Sequence, residues 1–189
     1  MKLVLFSDLH LDSAFSWMSG APGAARGRRQ ALRDTLLKIV DLTGQVKADA
    51  LLCGGDLYED ERFTPDTAAF LKSTFERLHP IPVFISPGNH DWYGPQSLYH
   101  GVEWSPNVQI FDESHLRPVG LDDGLTLWGA AHLAPANTPG FLDGFKVDRG
   151  GIHLALFHGS ERGWFTEQGE VKAPHAPFDA AQIEVAGIH

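Results

Sequence analysis

Two short polar motifs in the first third of the chain carry side chains of the types that can bind divalent cations. The segment Ser7-Asp8-Leu9-His10 places a carboxylate and an imidazole two residues apart, so in an extended chain both can face one cation. The segment Gly54-Gly55-Asp56 offers one carboxylate behind two glycines, which let other backbone approach it closely. Such a carboxylate can bridge two cations. Two cations about 3.5–4 Å apart can lower the pKa of a shared water, generate hydroxide and clamp a phosphoryl group for in-line attack.

Two later motifs add neutral and basic groups to this set. In residues 87–91, Asn89 offers an amide oxygen to a cation, and His90 is a candidate proton donor whose imidazole Asp91 could orient. His158 is another imidazole that directly follows an apolar run. Each residue alone is more often a structural group than a ligand. Their shared position at the ends of apolar runs favours one common site.

Apolar runs of strand length precede the motifs and must position them. These runs cover residues 3–6, 50–53, 83–85, 125–128 and 152–157. Apolar residues at helical spacing separate the first three runs, over residues 28–46 and 64–78. The order strand, helix, strand, helix, strand predicts a parallel sheet with right-handed crossovers. The carboxyl ends of its strands would gather the motifs at one edge.

After Gly94 the apolar runs become shorter and are separated by turn residues. Residues 108–111, 116–119 and 125–128 predict mixed or antiparallel strands of a second sheet. Residues 134–144 hold two prolines and two glycines and predict a surface loop. With 189 residues and 43% hydrophobic content, we expect a single domain over residues 1–189.

Composition limits the classes of function and the compartment. A formal charge of −9 argues against a broad basic face for salt-dependent nucleic-acid binding. Two dications would invert the field of an acidic cluster, however, so a nucleic-acid substrate is not excluded. The single cysteine, Cys53, lies in an apolar run and favours a buried thiol in a reducing compartment. With no signal-peptide pattern and no run of about 20 apolar residues, we expect a cytoplasmic protein without a membrane partner.

The motifs, in this order, resemble the calcineurin-like metallophosphoesterase family. The family pattern runs Asp-x-His, Gly-Asp, Gly-Asn-His-Asp or Glu, a later His, and finally Gly-His-x-His, and the first four elements are present. The resemblance implies an α/β fold, with a β-sandwich flanked by helices. The wording Ser-Asp-Leu-His-Leu-Asp, Gly-Gly-Asp-Leu-Tyr-Glu and Ile-Ser-Pro-Gly-Asn-His-Asp is most similar to DNA-repair exonucleases of the SbcD type. Those proteins work with a large ATPase of the SbcC type, which we therefore expect as a partner.

The resemblance also implies two cations that share the carboxylate of Asp56. The other ligands divide between the cations as two pairs, Asp8 with His10 and Asn89 with His158. His90 then protonates the leaving oxygen or steadies the transition state, with Asp91 beside it. Oxygen-rich ligation with a few imidazoles favours Mn²⁺, with Fe, Zn or Mg as alternatives.

Four further residues are candidates for substrate contact. Arg26, Arg28 and Arg29 belong to the one basic cluster of the sequence and could bind substrate phosphates. A solvated start of a helix is the simpler interpretation of these arginines. His132 follows the apolar run that ends near residue 129 and is a weaker candidate.

The sequence contains no Gly-His-x-His, the motif that in the family supplies one histidine to each cation. Residues 178–189 resemble the helix that precedes this motif, so we expect the domain to be incomplete at its C-terminus relative to the family. Each cation would then keep three protein ligands.

Two hypotheses about function follow. One is a two-metal phosphodiester hydrolase, favoured as a DNA nuclease, with a small-molecule phosphodiesterase or a phosphatase as alternatives. The other is a metal-poor binding or regulatory module on the same scaffold.

Overall fold

The computed structural model describes residues 1–16, 23–122, 124–165 and 174–189. The first sheet is parallel, in the order β1 (Leu3–Phe6), β2 (Ala50–Cys53), β3 (Val83–Ile85) and β4 (Val108–Ile110). In the second sheet, β5 (Arg117–Asp122) is antiparallel to β6 (Leu125–Gly129), which is parallel to β7 (Ile152–Leu156). The helices are α1 (Ala24–Gln45), α2 (Pro65–Glu76), α3 (Leu98–Gly101), α4 (Arg162–Phe165) and α5 (Ala180–Ala186).

Alternate side chains of β2 enter two different cores, because successive residues of a strand face opposite sides of a sheet. Leu51 and Cys53 pack on the side of α1 and α2. Ala50 and Leu52 face the second sheet and form the core between the sheets. On the outer side of the second sheet, Trp128 packs in a third core that includes α5. The layers are therefore helices, parallel sheet, mixed sheet and helix, which confirms the predicted α/β sandwich flanked by helices.

Both long helices begin near the sheet edge at which the preceding strands end, because each helix returns antiparallel to the strand before it. The start of α2 is capped reciprocally, since the Thr64 hydroxyl accepts the N–H of Thr67 and the Thr67 hydroxyl accepts the N–H of Thr64. The start of α1 has no side-chain cap and no acidic residue in its first turn. The two helix starts therefore differ in how they are stabilised.

One strand assignment made from the sequence is wrong. Residues 108–111 were expected in the second sheet, but β4 belongs to the first sheet and pairs in parallel with β3, with Val108 opposite Val83. The connection between them, residues 86–107, is long enough for the crossover that a parallel neighbour requires. A pattern of short apolar runs does not reveal which neighbour a strand will pair with.

The sequence contains no apolar run long enough to cross a membrane, and the helices of the structure can be compared with that observation. Among the residues that the structure describes, none of the helices combines the length and the apolar character needed to cross a bilayer.

Candidate metal centre

Asp8, His10 and Asp56 follow β1 and β2 with their backbone in the left-handed region, at φ values of 56°, 47° and 52°. This conformation costs a residue with a β-carbon about 1–2 kcal/mol, so it persists only where other contacts impose it. Two backbone hydrogen bonds do so here. The N–H of Asp8 donates to the carbonyl of Gly55 at 3.0 Å, and the N–H of His10 donates to the carbonyl of Asp56 at 2.9 Å. The two motifs thus continue side by side beyond the sheet.

The carboxylate of Asp56 is buried at the centre of the cluster. Its Oδ1 accepts the backbone N–H of His90 at 3.0 Å. Its Oδ2 faces two imidazoles, with Nε2 of His10 at 3.6 Å and Nε2 of His158 at 3.4 Å. One carboxylate oxygen therefore lies between side chains that follow β1 and β7.

The other nitrogen of each imidazole is held by an acceptor. Nδ1 of His158 donates to the carbonyl of Gly54 at 3.0 Å, and Nδ1 of His10 donates to Oε1 of Glu59 at 3.0 Å. A carbonyl or an ionised carboxylate only accepts, so the proton of each neutral ring is on Nδ1 and the Nε2 lone pair faces Asp56. Histidines that bind metals are typically oriented by such a partner on the second nitrogen.

The ligand atoms form two groups that share Asp56. The atoms of each group lie within 4.8 Å of one another, and the groups are Asp8, Asp56 and His158, and His10, Asp56 and His90. Carboxylate oxygens with imidazoles fit divalent cations of intermediate softness. This grouping differs from the predicted pairs, since Asp8 lies with His158 and His10 with His90. The division of ligands between the two cations stays a prediction.

Two glycines allow the strand ends to approach each other. A β-carbon on Gly88 would overlap with Oδ1 of Asp56. Gly55 has a φ of 97°, and a β-carbon there would lie 2.9 Å from the β-carbon of His158. These positions bring the loop after β3, which carries Asn89, against the Asp56 carboxylate. Asn89 itself is half-buried and lines a cavity of about 530 Å³ beside His90.

The expectation that Asp91 orients the His90 imidazole is wrong. Asp91 is fully buried, and within the described chain its hydrogen bonds go elsewhere. Its carboxylate accepts the backbone N–H groups of Asp56 at 3.0 Å, Leu57 at 2.8 Å and Gly88 at 2.6 Å, and the Tyr99 hydroxyl at 2.6 Å. Burial raises the pKa of the Asp91 carboxyl to about 6, against the opposing effect of these hydrogen bonds. Asp91 joins the segment after β2 to the segment after β3.

Glu59 takes the role expected of Asp91, and sequence reasoning missed it. Its Oε2 accepts Nδ1 of His90 at 3.0 Å, while its Oε1 accepts Nδ1 of His10. Burial opposes ionisation, but the hydrogen bonds and charges of the two histidines outweigh it and lower the pKa of the Glu59 carboxyl. A signal existed, because Glu59 closes the quoted run Gly-Gly-Asp-Leu-Tyr-Glu, three residues after Asp56.

The His90 ring is partly exposed at the cavity. Burial lowers its pKa, but the hydrogen bond to Glu59 and the charges of Asp56 and Glu59 outweigh burial and raise the pKa above 6.5. A histidine in this environment retains its proton at higher pH than usual, which suits a proton donor.

His132 cannot contact a substrate, so that prediction is wrong. Its side chain is fully buried. Nε2 donates to the carbonyl of His158 at 2.8 Å, and Nδ1 accepts the hydroxyl of Thr138 at 2.8 Å. Burial lowers the pKa of the imidazole to about 4, so the ring is neutral near pH 7. The sequence position of His132, just after β6, did not by itself indicate that the side chain would be buried.

The predicted basic residues Arg26, Arg28 and Arg29 lie in the first two turns of α1. Arg26 and Arg28 are exposed, Arg29 is half-buried, and none has an ion pair with a described residue. Arg33, one turn further along, pairs with Asp66 at 2.7 Å and with Asp12 at 3.7 Å. Asp12 lies just after His10, so Arg33, at the C-terminal end of the basic cluster, lies close to the ligand-bearing loop. Its contact with substrate stays a prediction.

A β-sandwich flanked by helices, with carboxylates and imidazoles converging at its strand ends, defines a scaffold for metal-dependent hydrolysis. The sequence model of the calcineurin-like phosphoesterase family matches residues 1–180, and the chain belongs to this family. The chain is 32% identical over 190 residues to an uncharacterized metallophosphoesterase, YhaO, of Bacillus subtilis (strain 168). That match covers 96% of this chain and 45% of the relative, so the chain spans less than half the relative's length.

The first prediction concerns Asp56. In Asp56→Asn the shared oxygen loses its charge, so two cations would be left underligated and mutually repelling. We expect the wild type to bind two Mn²⁺ per chain and Asp56→Asn to lose at least one of them, as measured by calorimetric titration. Asp60→Asn, a nearby acid outside both ligand groups, is the matched control and should keep both. An unchanged stoichiometry of two in Asp56→Asn would contradict the bridging role.

Proposed function

We propose that this chain is the catalytic domain of a phosphodiester hydrolase that uses two divalent cations, with Mn²⁺ the best fit, and that its substrate is DNA. One observation carries the proposal. Oδ2 of Asp56 faces the Nε2 atoms of His10 and His158, and both rings are fixed through Nδ1. Two divalent cations bound there would supply Lewis-acid activation of the phosphoryl group and lower the pKa of water.

The chain's own groups have separate tasks in this proposal. Asp56 is kept in place by the N–H of His90 on Oδ1, which leaves Oδ2 for ligation. His90 is fixed through Nδ1 by Glu59, so its Nε2 side is left to donate a proton to the leaving oxygen. Glu59 stabilises the protonated ring by charge and by its hydrogen bond. The same carboxylate orients His10, so it couples the proton donor to a ligand.

The DNA part of the proposal is supported by a stripe of arginines on α1. Arg26, Arg29 and Arg33 are spaced at helical intervals and share one face of the helix. In the first turn of α1, which has no acidic residue, the helix dipole opposes the charge of Arg26 by about 0.3–1 kcal/mol. Arg33 pairs with Asp66 and Asp12, whereas Arg26 and Arg29 have no ion pair with a described residue. A polyanion bound along the stripe would offset the dipole's effect.

A smaller phosphodiester is the second candidate, and the cavity beside His90 favours it. Glu59, Asp60 and Glu61 line this space of about 530 Å³. Three acidic side chains there would repel the flanking phosphates of a long polyanion. The ATPase partner, the choice of Mn²⁺ and the metal-poor alternative stay predictions.

The second prediction tests the activity itself. With Mn²⁺, the chain should hydrolyse bis(p-nitrophenyl) phosphate and lose this activity in EDTA. On single-stranded DNA, whose alkoxide leaving group must be protonated, His90→Asn should slow turnover by about 10²–10⁴-fold while two Mn²⁺ remain bound, because it removes the proton donor. If occupancy fell as far as the rate, His90 would be a ligand. Wild type that holds two Mn²⁺ and cleaves no phosphodiester would refute the proposed function.

The third prediction is a shift in the pH–rate profile. A proton donor is active only when protonated, so the rate should fall as pH rises through the raised pKa of His90. Glu59→Gln removes the carboxylate that raises this pKa, so the basic limb should move to lower pH. Glu61→Gln, which makes the same change at the same cavity, is the control and should leave the limb in place. Equal profiles for all three proteins would exclude Glu59 as the partner of His90.

The fourth prediction separates DNA from small substrates. The double variant Arg26→Ala/Arg29→Ala should lower kcat/KM on single-stranded DNA and leave hydrolysis of bis(p-nitrophenyl) phosphate unchanged. The salt dependence of DNA binding should weaken by about one unit of log–log slope for each lost phosphate contact. Lys38→Ala, further along the same helix, should change neither kcat/KM on DNA nor the salt dependence of DNA binding. If kcat/KM fell equally on both substrates, or did not fall on DNA, the result would contradict DNA as the substrate.

A further inference from the structure

His132 touches both loops that carry the later candidate ligands. Its backbone N–H donates to the carbonyl of Pro87 at 3.0 Å, and its carbonyl accepts the N–H of Tyr93 at 2.7 Å. These two bonds bracket Asn89 and His90. Its ring reaches the other way, because Nε2 donates to the carbonyl of His158 at 2.8 Å. One residue therefore connects the loop after β3 to the loop after β7.

The bond from His132 fixes the backbone of His158, while a different contact fixes the ring. Nδ1 of His158 is bound to the carbonyl of Gly54, and its own carbonyl is bound to the His132 imidazole. With both ends held, Nε2 of His158 is aimed at Oδ2 of Asp56, 3.4 Å away. If the bond from His132 were lost, the His158 carbonyl would lack its partner and the loop would shift to find another.

The His132 ring is itself held in one orientation. The hydroxyl of Thr138, which is also buried, donates to Nδ1 at 2.8 Å. Phe141 packs edge-on against the ring, with centroids 5.4 Å apart and planes at 87°. These contacts leave Nε2 as the nitrogen that donates. Because these contacts hold the His132 side chain in one orientation, the residue keeps the loop after β7 in a fixed place relative to the loop after β3.

We propose that His132 is a positioning residue for the cation site, and that its Nε2–H sets the place of His158 relative to the loop of Asn89 and His90. The inference rests on the proposed function, since it assumes that His158 binds a cation. Partners that orient metal ligands are typically worth 10–100-fold in metal affinity or activity. We expect an effect of this size for the cation that His158 binds.

A pair of amide substitutions isolates the bond. In His132→Gln the side-chain amide nitrogen reaches roughly the place of Nε2 and can still donate to the His158 carbonyl. In His132→Asn the shorter amide reaches Thr138 but not His158. We expect His132→Asn to weaken Mn²⁺ binding by about 10–100-fold in calorimetric titration and His132→Gln to restore most of it. Saturating Mn²⁺ should return the His132→Asn rate close to that of the wild type.

Two further variants keep the test decisive. Thr138→Val removes the hydroxyl that orients the ring and should give a smaller loss of Mn²⁺ affinity, which answers the question if His132→Asn does not fold. Val40→Ala lies in the core under α1, away from the site, and serves as a stability control in urea. The inference is overturned if the Gln and Asn variants lose affinity equally, or if Val40→Ala at similar stability loses as much. Wild type that binds no Mn²⁺ would overturn the proposed function as well.

Discussion

The burial of the Asp56 carboxylate is the constraint on which the rest of the site depends. A buried carboxylate needs partners, and Oδ1 has one in the N–H of His90. Oδ2 faces two imidazole nitrogens at 3.6 and 3.4 Å, which is longer than a hydrogen bond, and the Nδ1 contacts leave lone pairs on those nitrogens. A divalent cation among these three atoms would offset the charge of the carboxylate and be ligated by both lone pairs.

A second buried carboxylate keeps the first in place. Asp91 gathers N–H groups from the segments after β2 and β3, including that of Asp56 itself. Its charge is spread over backbone donors and the Tyr99 hydroxyl, so it needs no cation. Two aspartates at neighbouring strand ends thus have opposite roles, one open to ligation and one closed. The difference lies in the number of donors that each carboxylate receives, and not in the residue type.

The sequence predicts the positions of the ligands better than the contacts that orient them. Asp8, Asp56 and His158 are recognisable because each lies within three residues of the end of an apolar run, and the carboxyl ends of parallel strands share one edge. The direction of a side chain in a loop depends on tertiary contacts that no local pattern records. For this reason Asp91 was expected to orient the His90 ring that Glu59 orients instead, and His132 was expected to contact substrate. The prediction for β4 was wrong for a similar reason, since the apolar run Val108–Ile110 fits either sheet.

The strain at the strand ends determines how ligation relates to folding. Three left-handed residues at about 1–2 kcal/mol each amount to about 3–6 kcal/mol, a large part of the roughly 5–15 kcal/mol by which domains are stable. The bonds that impose this geometry join Asp8 to Gly55 and His10 to Asp56 through backbone alone. They extend the pairing of β1 with β2, whose side chains fill the cores on both faces of the first sheet. The ligand geometry is therefore imposed by the pairing of the strands. The backbone strain at Asp8, His10 and Asp56 is present whether or not a cation is bound.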